Sequence, residues 1–172
     1  MKKWISIFLA LTLLFSLTAC RKKKAELLSG TMAENVDKLM QANPAEFMGG
    51  QIPLVLEDNS EEGLWTLKSY TGLDSSEKLS DVAVYEPMTG SQAFSLVLVR
   101  VKDGADAKPV AQQMKENIDP RKWICAGADQ VMAAGYGDVV LFIMVDSALG
   151  KTAQSYVDAF AQLCGGQVDF TI

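Results

Sequence analysis

The sequence predicts an α+β fold, a two-layer sandwich in which one mainly antiparallel, four-stranded sheet has helices packed on one face. Some stretches repeat apolar residues every three or four positions, as helices do, and others are short apolar runs typical of strands. The strands come in pairs that alternate with helical patterns. Paired strands interleaved with helices favour an antiparallel sheet covered by helices.

Four helices are predicted, and the clearest start is Thr31-Met32-Ala33-Glu34, which fits a capping box. Proline and glycine mark the ends, because the residue before proline avoids the helical region and glycine accepts the left-handed conformation. The helices are expected to begin after Thr31, after Ser60, after Asp106 and near Ala153, and to end at Asn43-Pro44, near Gly72, at Asp119-Pro120 and at Gly165-Gly166.

The strongest strand pattern is Phe94 to Val101, which is apolar at almost every position. Both of its faces would therefore be apolar, as in a central strand or one covered on both sides. The tail from Val168 to Ile172 could add an edge strand or fray. The other predicted strands are Val82 to Glu86, Gln130 to Ala134 and Val139 to Val145, the last two joined by a hairpin loop at Tyr136-Gly137-Asp138.

The N-terminus has the pattern of a secretory signal. Lys2 and Lys3 precede an apolar run from Trp4 to Leu17, and a small residue stands before Cys20. The alternative is a transmembrane anchor, but this run of about 14 residues is shorter than the roughly 20 that a spanning helix needs. Residues 1–19 are therefore predicted to be a signal peptide, 20–30 a basic tether, and 31–172 one globular domain.

The run Leu17-Thr18-Ala19-Cys20 resembles the lipobox of bacterial lipoproteins. That resemblance implies cleavage before Cys20, a diacylglycerol on its thiol and an acyl chain on its new amine. Two or more chains anchor a protein stably, whereas one gives only marginal binding. The cations of Arg21-Lys22-Lys23-Lys24 would add attraction to an anionic membrane surface, or simply form a solvated linker.

Composition excludes several classes of function. The net charge is −5, so nucleic acid is not an expected partner. The sequence has no histidine, which excludes Ser-His-Asp and Cys-His machinery and removes the commonest metal ligand. Besides Cys20, the cysteines are Cys125 and Cys164; in an exported protein they could form a disulfide, but we favour two separate buried thiols. No cofactor or metal site is predicted.

Three motifs could indicate a calcium, catalytic or phosphate site, but each has a simpler structural interpretation. Asp103-Gly104-Ala105-Asp106 has the spacing of a calcium loop, but the twelfth position is Met114 instead of glutamate, so a turn and helix cap are expected. The carboxylates of Glu57, Asp58, Glu61 and Glu62 could serve as acid and base, but such a cluster more often stabilises a helix N-terminus. Gly135-Tyr136-Gly137 lacks the third glycine of a phosphate-binding loop.

Four aromatic residues, Trp65, Tyr70, Tyr85 and Trp123, are candidates to line a ligand groove. Aromatic residues at helical or strand spacing are more often buried in the core. We therefore expect most of the four to be core or half-buried residues.

Besides the lipobox, the chain has four further motifs: Tyr70-Thr71-Gly72-Leu73, Val82-Ala83-Val84-Tyr85, Val101-Lys102-Asp103-Gly104 and the segment from Val140 to Ser147. With these motifs the chain resembles a family of small lipoproteins in Gram-positive bacteria that carry a domain of unknown function. The resemblance covers about residues 60–165. It implies a lipoprotein and no catalytic residues.

The expected function is that of a lipid-anchored, extracytoplasmic binding module without catalytic activity. Its expected partners are the membrane, through Cys20, and a protein or peptide. Two alternatives remain. A solute-binding lipoprotein of a transporter usually needs two lobes, for which the chain is short, and a carboxylate-dependent hydrolase lacks a nucleophile motif in this sequence.

Overall fold

The computed structural model describes residues 28–172, which form a six-stranded, wholly antiparallel sheet and four α-helices. The order of the strands in the sheet is β1-β2-β3-β5-β4-β6. The helices are α1 (Met32–Ala42), α2 (Glu61–Thr71), α3 (Ala107–Asn117) and α4 (Ala153–Leu163), and the strands are β1 (Gly49–Ile52), β2 (Leu79–Pro87), β3 (Phe94–Val101), β4 (Gln130–Tyr136), β5 (Val139–Val145) and β6 (Phe170–Thr171).

The predicted α+β class is confirmed, but the predicted number of four strands is wrong. The two additional strands lie at the edges. β1 contains Gly49 and Gly50, and glycine is depleted in strands, so no strand pattern marks it. β6 is only two residues long and pairs with β4 opposite Gly135, which makes the C-terminal tail an edge strand.

The predicted two-layer arrangement is also wrong, because helices cover both faces of the sheet. Phe94, Leu96 and Leu98 of β3 belong to a core with α1 and α4. Val97 and Val99 belong to a second core with α2 and α3 on the opposite face. The expectation that β3 is covered on both sides is thus confirmed. Since β5 is also buried along its whole length, both faces of the sheet centre must be shielded from water.

Most predicted helix caps are present. Thr31 and Glu34 form the capping box, and the amide of Gly63 donates to Ser60 Oγ at 3.1 Å. Gly72 ends α2 in the left-handed conformation, with φ of +73°. Asp106 lies at the N-cap position of α3 as predicted, but its side chain makes no capping bond and instead accepts a hydrogen bond from Lys78 Nζ at 2.9 Å.

The antiparallel strands give the sheet two distinct ends. One end, here called the tether end, holds Asp81, Arg100 and the β4–β5 turn at Gly137-Asp138, where Gly137 has a φ of +59°. The opposite end, here called the far end, holds the last residues of β2 and the start of β3 at Phe94. β3 has eight residues, which at about 3.3 Å each separate the two ends by roughly 26 Å.

The predicted signal peptide at 1–19, the predicted lipidation of Cys20 and the cations at 21–24 lie outside the described residues. Within residues 28–172, no helix combines the length and apolar character needed to span a membrane.

Candidate functional site

An aromatic cleft lies at the far end, between α2, the end of β2 and the loop of residues 118–129. Its volume is about 230 Å³, and three of the four aromatic residues selected from the sequence, Trp65, Tyr70 and Trp123, line it. The fourth, Tyr85, lies on the other face of the sheet, with its ring edge-on to Phe94 at 6.3 Å between centroids. Alternation along β2 places Tyr85 and its neighbour Glu86 on opposite faces.

The floor of the cleft is an ion pair that the sequence did not reveal. Lys122 Nζ lies 2.6 Å from Glu86 Oε1 and donates a hydrogen bond to the Ser69 carbonyl at 3.1 Å. The same ammonium lies 4.5 Å from the centre of the Tyr70 ring and 5.2 Å from that of Trp123. Two aromatic rings, a carboxylate and a carbonyl therefore surround one cation, which is the composition of a cation–π cage.

Burial shapes the electrostatics of this cage. The side chains of Lys122 and Glu86 are 15% and 11% exposed. Burial lowers the pKa of Lys122 from its ordinary 10.5, and the negative charge of Glu86 opposes that change. Burial, followed by the charge of Glu86, raises the pKa of Tyr70. The ammonium and the carboxylate face each other at 2.6 Å, so the cleft holds these two charges as a pair.

The loop of residues 118–129 positions Lys122 and Trp123 because both of its ends are fixed. Asp119 Oδ1 accepts from the amide of Arg121 at 2.8 Å, and the Pro120 carbonyl accepts from the amide of Ala128 at 2.8 Å, which closes the loop on itself. Midway, the amide of Ile124 donates to the Gly90 carbonyl at 2.9 Å and attaches the loop to the β2–β3 connection.

A group of exposed apolar side chains adjoins the cleft. Of the five large apolar residues that are exposed among residues 28–172, four lie here, and we call them the distal patch: Met48 (77% exposed), Trp65 (70%), Met88 (73%) and Ile124 (76%). Met88 donates its amide to the Met48 carbonyl at 3.0 Å, and Ile124 is bonded to Gly90. Trp65 lines the cleft beside Glu86 and Trp123, the near neighbours of Met88 and Ile124 in sequence.

The acidic cluster lies at the N-terminus of α2, and all four side chains are exposed. Asp58 Oδ1 accepts from the amide of Ser60 at 3.0 Å, and the hydrogen bonds from Ser60 lower the pKa of Asp58. Glu61 and Glu62 lie in the first turn, where carboxylates favour the positive end of the helix dipole. This geometry is that of a stabilised helix start.

The other polar motifs also have local structural roles. Asp103 Oδ1 accepts from the amide of Ala105 at 3.0 Å in a 3₁₀ turn, Gly104–Asp106, that precedes α3. Gly135 lies against the ring of Phe170, where a side chain would collide with it. Among residues 28–172, no three His, Cys, Asp or Glu side chains are grouped so that they could hold a metal ion.

Cys125 and Cys164 are both free thiols in the structure. Cys125 is exposed in the 118–129 loop, with a φ of +61°, so the expectation of two buried thiols fails for this residue. Cys164 is buried at the end of α4, and burial, followed by the charge of Asp169, raises its pKa to about 12.

The tether end has a polar cluster of its own, centred on Arg100. Arg100 Nη2 donates to the carbonyls of Leu28 at 2.6 Å and Gly30 at 3.0 Å, and its Nη1 lies 3.7 Å from Asp138 Oδ2. Asp81 Oδ2 accepts from the amide of Met32 at 2.8 Å. Arg100 therefore fixes the start of the domain to the end of the sheet. A signal existed in the sequence, since Arg100 is the only charged residue within Phe94–Val101.

Comparison with known proteins finds no matching family model, curated protein or solved structure. The resemblance to small Gram-positive lipoproteins remains a prediction from the sequence.

Proposed function

We propose that this chain is an extracytoplasmic lipoprotein, anchored to the outer face of the cell membrane through lipid on Cys20, and that its domain binds a protein or peptide without catalysing a reaction. The run Leu17-Thr18-Ala19-Cys20 supports the anchor.

The observation that carries this proposal is the opposition of the two ends of the sheet. The chain enters the domain at Leu28, which Arg100 holds at the tether end. The aromatic cleft and the distal patch lie at the far end, roughly 26 Å away along β3. If the tether end rests near the lipid, the patch faces away from the membrane and is accessible to a partner. Exposed apolar side chains that are grouped at one end of a domain are typical of an interaction surface.

The chemistry of the cleft supports binding over catalysis. Its two ionised side chains, Lys122 and Glu86, are paired with each other at 2.6 Å. A general base must reach the proton that it removes, and the Glu86 carboxylate is only 11% exposed and faces Lys122. The other carboxylates of the α2 region are exposed and stabilise the start of the helix.

In-cell crosslinking tests the proposal. The wild-type chain and Cys20→Ala are expressed, crosslinked and purified, and the wild-type N-terminus is examined by mass spectrometry. We expect a diacylglyceryl-modified Cys20 in the membrane fraction and one reproducible protein adduct that Cys20→Ala fails to form. A mature N-terminus elsewhere would refute the anchor. Hydrolytic turnover that is abolished by Glu57→Gln, Glu61→Gln or Glu62→Gln would replace binding with catalysis.

A further inference from the structure

We infer that the distal patch and the aromatic cleft form the docking site for a basic, apolar-bearing peptide segment of the partner, with one lysine or arginine side chain stacked on Trp65. This inference rests on the proposed binding function and gives it a location and a ligand chemistry. Three independent features of the far end support it: the charge of the chain around the patch, the exposure of Trp65 and the occupancy of the neighbouring cage.

The charge of the segment beside the patch is one-sided. No lysine or arginine occurs between Lys38 and Lys68. The same segment carries the exposed apolar side chains of Met48 and Trp65. Its carboxylates are Glu46, Asp58, Glu61 and Glu62, together with Glu57, which lies towards the tether end beside Ser80 and Asp81. On the other side of the patch, the 118–129 loop carries Arg121 and Lys122, and Lys122 is paired with Glu86. The carboxylates on the Trp65 side therefore favour a cationic partner at Trp65 and repel an anionic one.

Trp65 lies on the same side of α2 as two of these carboxylates. Glu61 and Glu62 precede it by four and three residues, a spacing that brings side chains within about 5–6 Å between Cβ atoms on a helix. The indole is 70% exposed, so its face is available. A cation over a tryptophan ring gains the ring's electrostatic attraction, and the two carboxylates would add to it.

The neighbouring cage already holds a cation against aromatic rings, which is the contact that we infer for Trp65. Lys122 Nζ occupies the space between Tyr70, Trp123 and Glu86, at 4.5 and 5.2 Å from the two rings. The inner part of the cleft is therefore filled by the protein's own ammonium. A partner cation would occupy the outer part on Trp65, while its apolar side chains contact Met88 and Ile124.

A lipid surface is a weaker candidate for this patch. The patch is at the end of the sheet opposite Leu28, and the segment beside it is acidic. Anionic headgroups would repel its carboxylates. The same repulsion disfavours a second copy of the chain, since each copy would present the same acidic surface.

A titration with synthetic peptides tests the inference. The full chain, in detergent micelles, is titrated with a fluorescent ten-residue peptide of alternating lysine and leucine, and with a matched peptide in which glutamate replaces lysine. We expect binding of the basic peptide only, weakened by added salt because exposed charges are screened over about 8 Å at physiological ionic strength. Trp65→Ala should weaken binding about tenfold, and Trp65→Phe should retain most of it.

A charge-matched pair of variants isolates the role of the carboxylates. Glu61→Gln with Glu62→Gln should weaken binding and flatten its salt dependence. Glu77→Gln with Glu116→Gln removes the same charge from exposed positions elsewhere and should change neither. Circular dichroism of each variant confirms that the fold is intact before binding is compared.

Each remaining outcome overturns the inference. Equal binding of the basic peptide to wild type and Trp65→Ala would place the docking site elsewhere, while leaving the in-cell partner of the proposed function intact. Loss of binding to phosphatidylglycerol vesicles in Trp65→Ala, with no loss of peptide binding, would make the patch a lipid contact. A dimer that Trp65→Ala dissociates in light scattering would make it a self-association surface.

Discussion

At each end of the sheet a mostly buried basic side chain lies against a carboxylate, but the two cations have different surroundings. At the tether end, Arg100 lies 3.7 Å from Asp138 and uses its donors on the Leu28 and Gly30 carbonyls. At the far end, Lys122 lies 2.6 Å from Glu86 under an open cleft.

The difference follows from the chemistry of the two cations. The guanidinium has five donors in a fixed fork, so Arg100 can bind two carbonyls and a carboxylate at once and fix a strand of backbone. The ammonium is a compact charge that aromatic rings can surround, so Lys122 supports a cleft wall. The tether end thus holds the segment that precedes α1, and the far end leaves Trp65 exposed at the cleft.

The largest effect is expected from removing the far-end cation. Lys122→Met should lower the free energy of unfolding by about 3 kcal/mol or more, because it leaves Glu86 buried without its partner. Glu86→Leu combined with Lys122→Met should recover most of that loss, since an apolar pair removes both charges from the interior. Urea denaturation measures the stability of both variants, with Lys115→Met, at an exposed position of α3, as the control.

A loss in the single variant that the double variant does not recover would show that the lysine acts by some means other than its pairing with Glu86.

A smaller and more local effect is expected at the tether end. Arg100→Met should cost about 2 kcal/mol, the usual range for hydrogen bonds from a charged donor, and should release the segment before α1. Limited proteolysis should then cut near Leu28 faster than in wild type, whereas Lys122→Met should leave that site protected. Lys102→Met, exposed at the same end, is the control. Equal cleavage rates in Arg100→Met and wild type would show that Arg100 does not hold the segment before α1 in place.

A rise in pH should change stability in opposite directions through two core residues, Cys164 and Tyr156, and through Lys122 at the far end. Burial raises the pKa of Cys164 from 9.0, and that of Tyr156 from 10.0, to about 12. The folded state then keeps protons that the unfolded state releases, so their contribution to stability is complete below pH 9 and is lost as the pH rises towards 12. Lys122 has the opposite effect on stability. Its pKa is lowered in the folded state, so just below pH 10.5 the unfolded chain binds more protons than the folded chain, and stability rises with pH.

Thermal melts between pH 8 and 11 measure this balance. Cys164→Ala and Tyr156→Phe should each reduce the alkaline loss of stability, and Lys122→Met should increase it. At neutral pH, Tyr156→Phe should raise stability by about 1 kcal/mol, because the Tyr156 hydroxyl is buried without a hydrogen-bond partner among the described residues. An alkaline slope unchanged in Cys164→Ala and Tyr156→Phe would contradict the assigned shifts.

The sequence predicted the elements whose patterns are local. The predicted bounds of β3 and β5 match the observed ones because their apolar runs end at charged or glycine-containing turns. The helix caps at Thr31 and Ser60 were also predicted, because capping depends on residues close in sequence. The third layer was missed although the two-faced pattern of β3 indicated it. The predicted sandwich put helices on one face only, and this left the other face of β3 without cover.

The candidate site was only partly predictable because its parts are distant in sequence. The expectation that most of the four aromatic residues are core or half-buried is confirmed for Tyr70, Tyr85 and Trp123, whereas Trp65 is exposed. Glu86 ends a strand and Lys122 lies in a loop, and nothing in the spacing of the two connects them. Only the packing of α2 and the 118–129 loop against β2 brings them together.

Photo-crosslinking from both ends of the sheet tests the opposition of the two ends most directly. A benzoylphenylalanine replaces Ile124 at the far end in one full-length variant and Lys102 at the tether end in another, both exposed, and cells are irradiated. We expect protein adducts from position 124 and lipid adducts, without that protein, from position 102. Lipid adducts from position 124, or the same protein adduct from both positions, would contradict it.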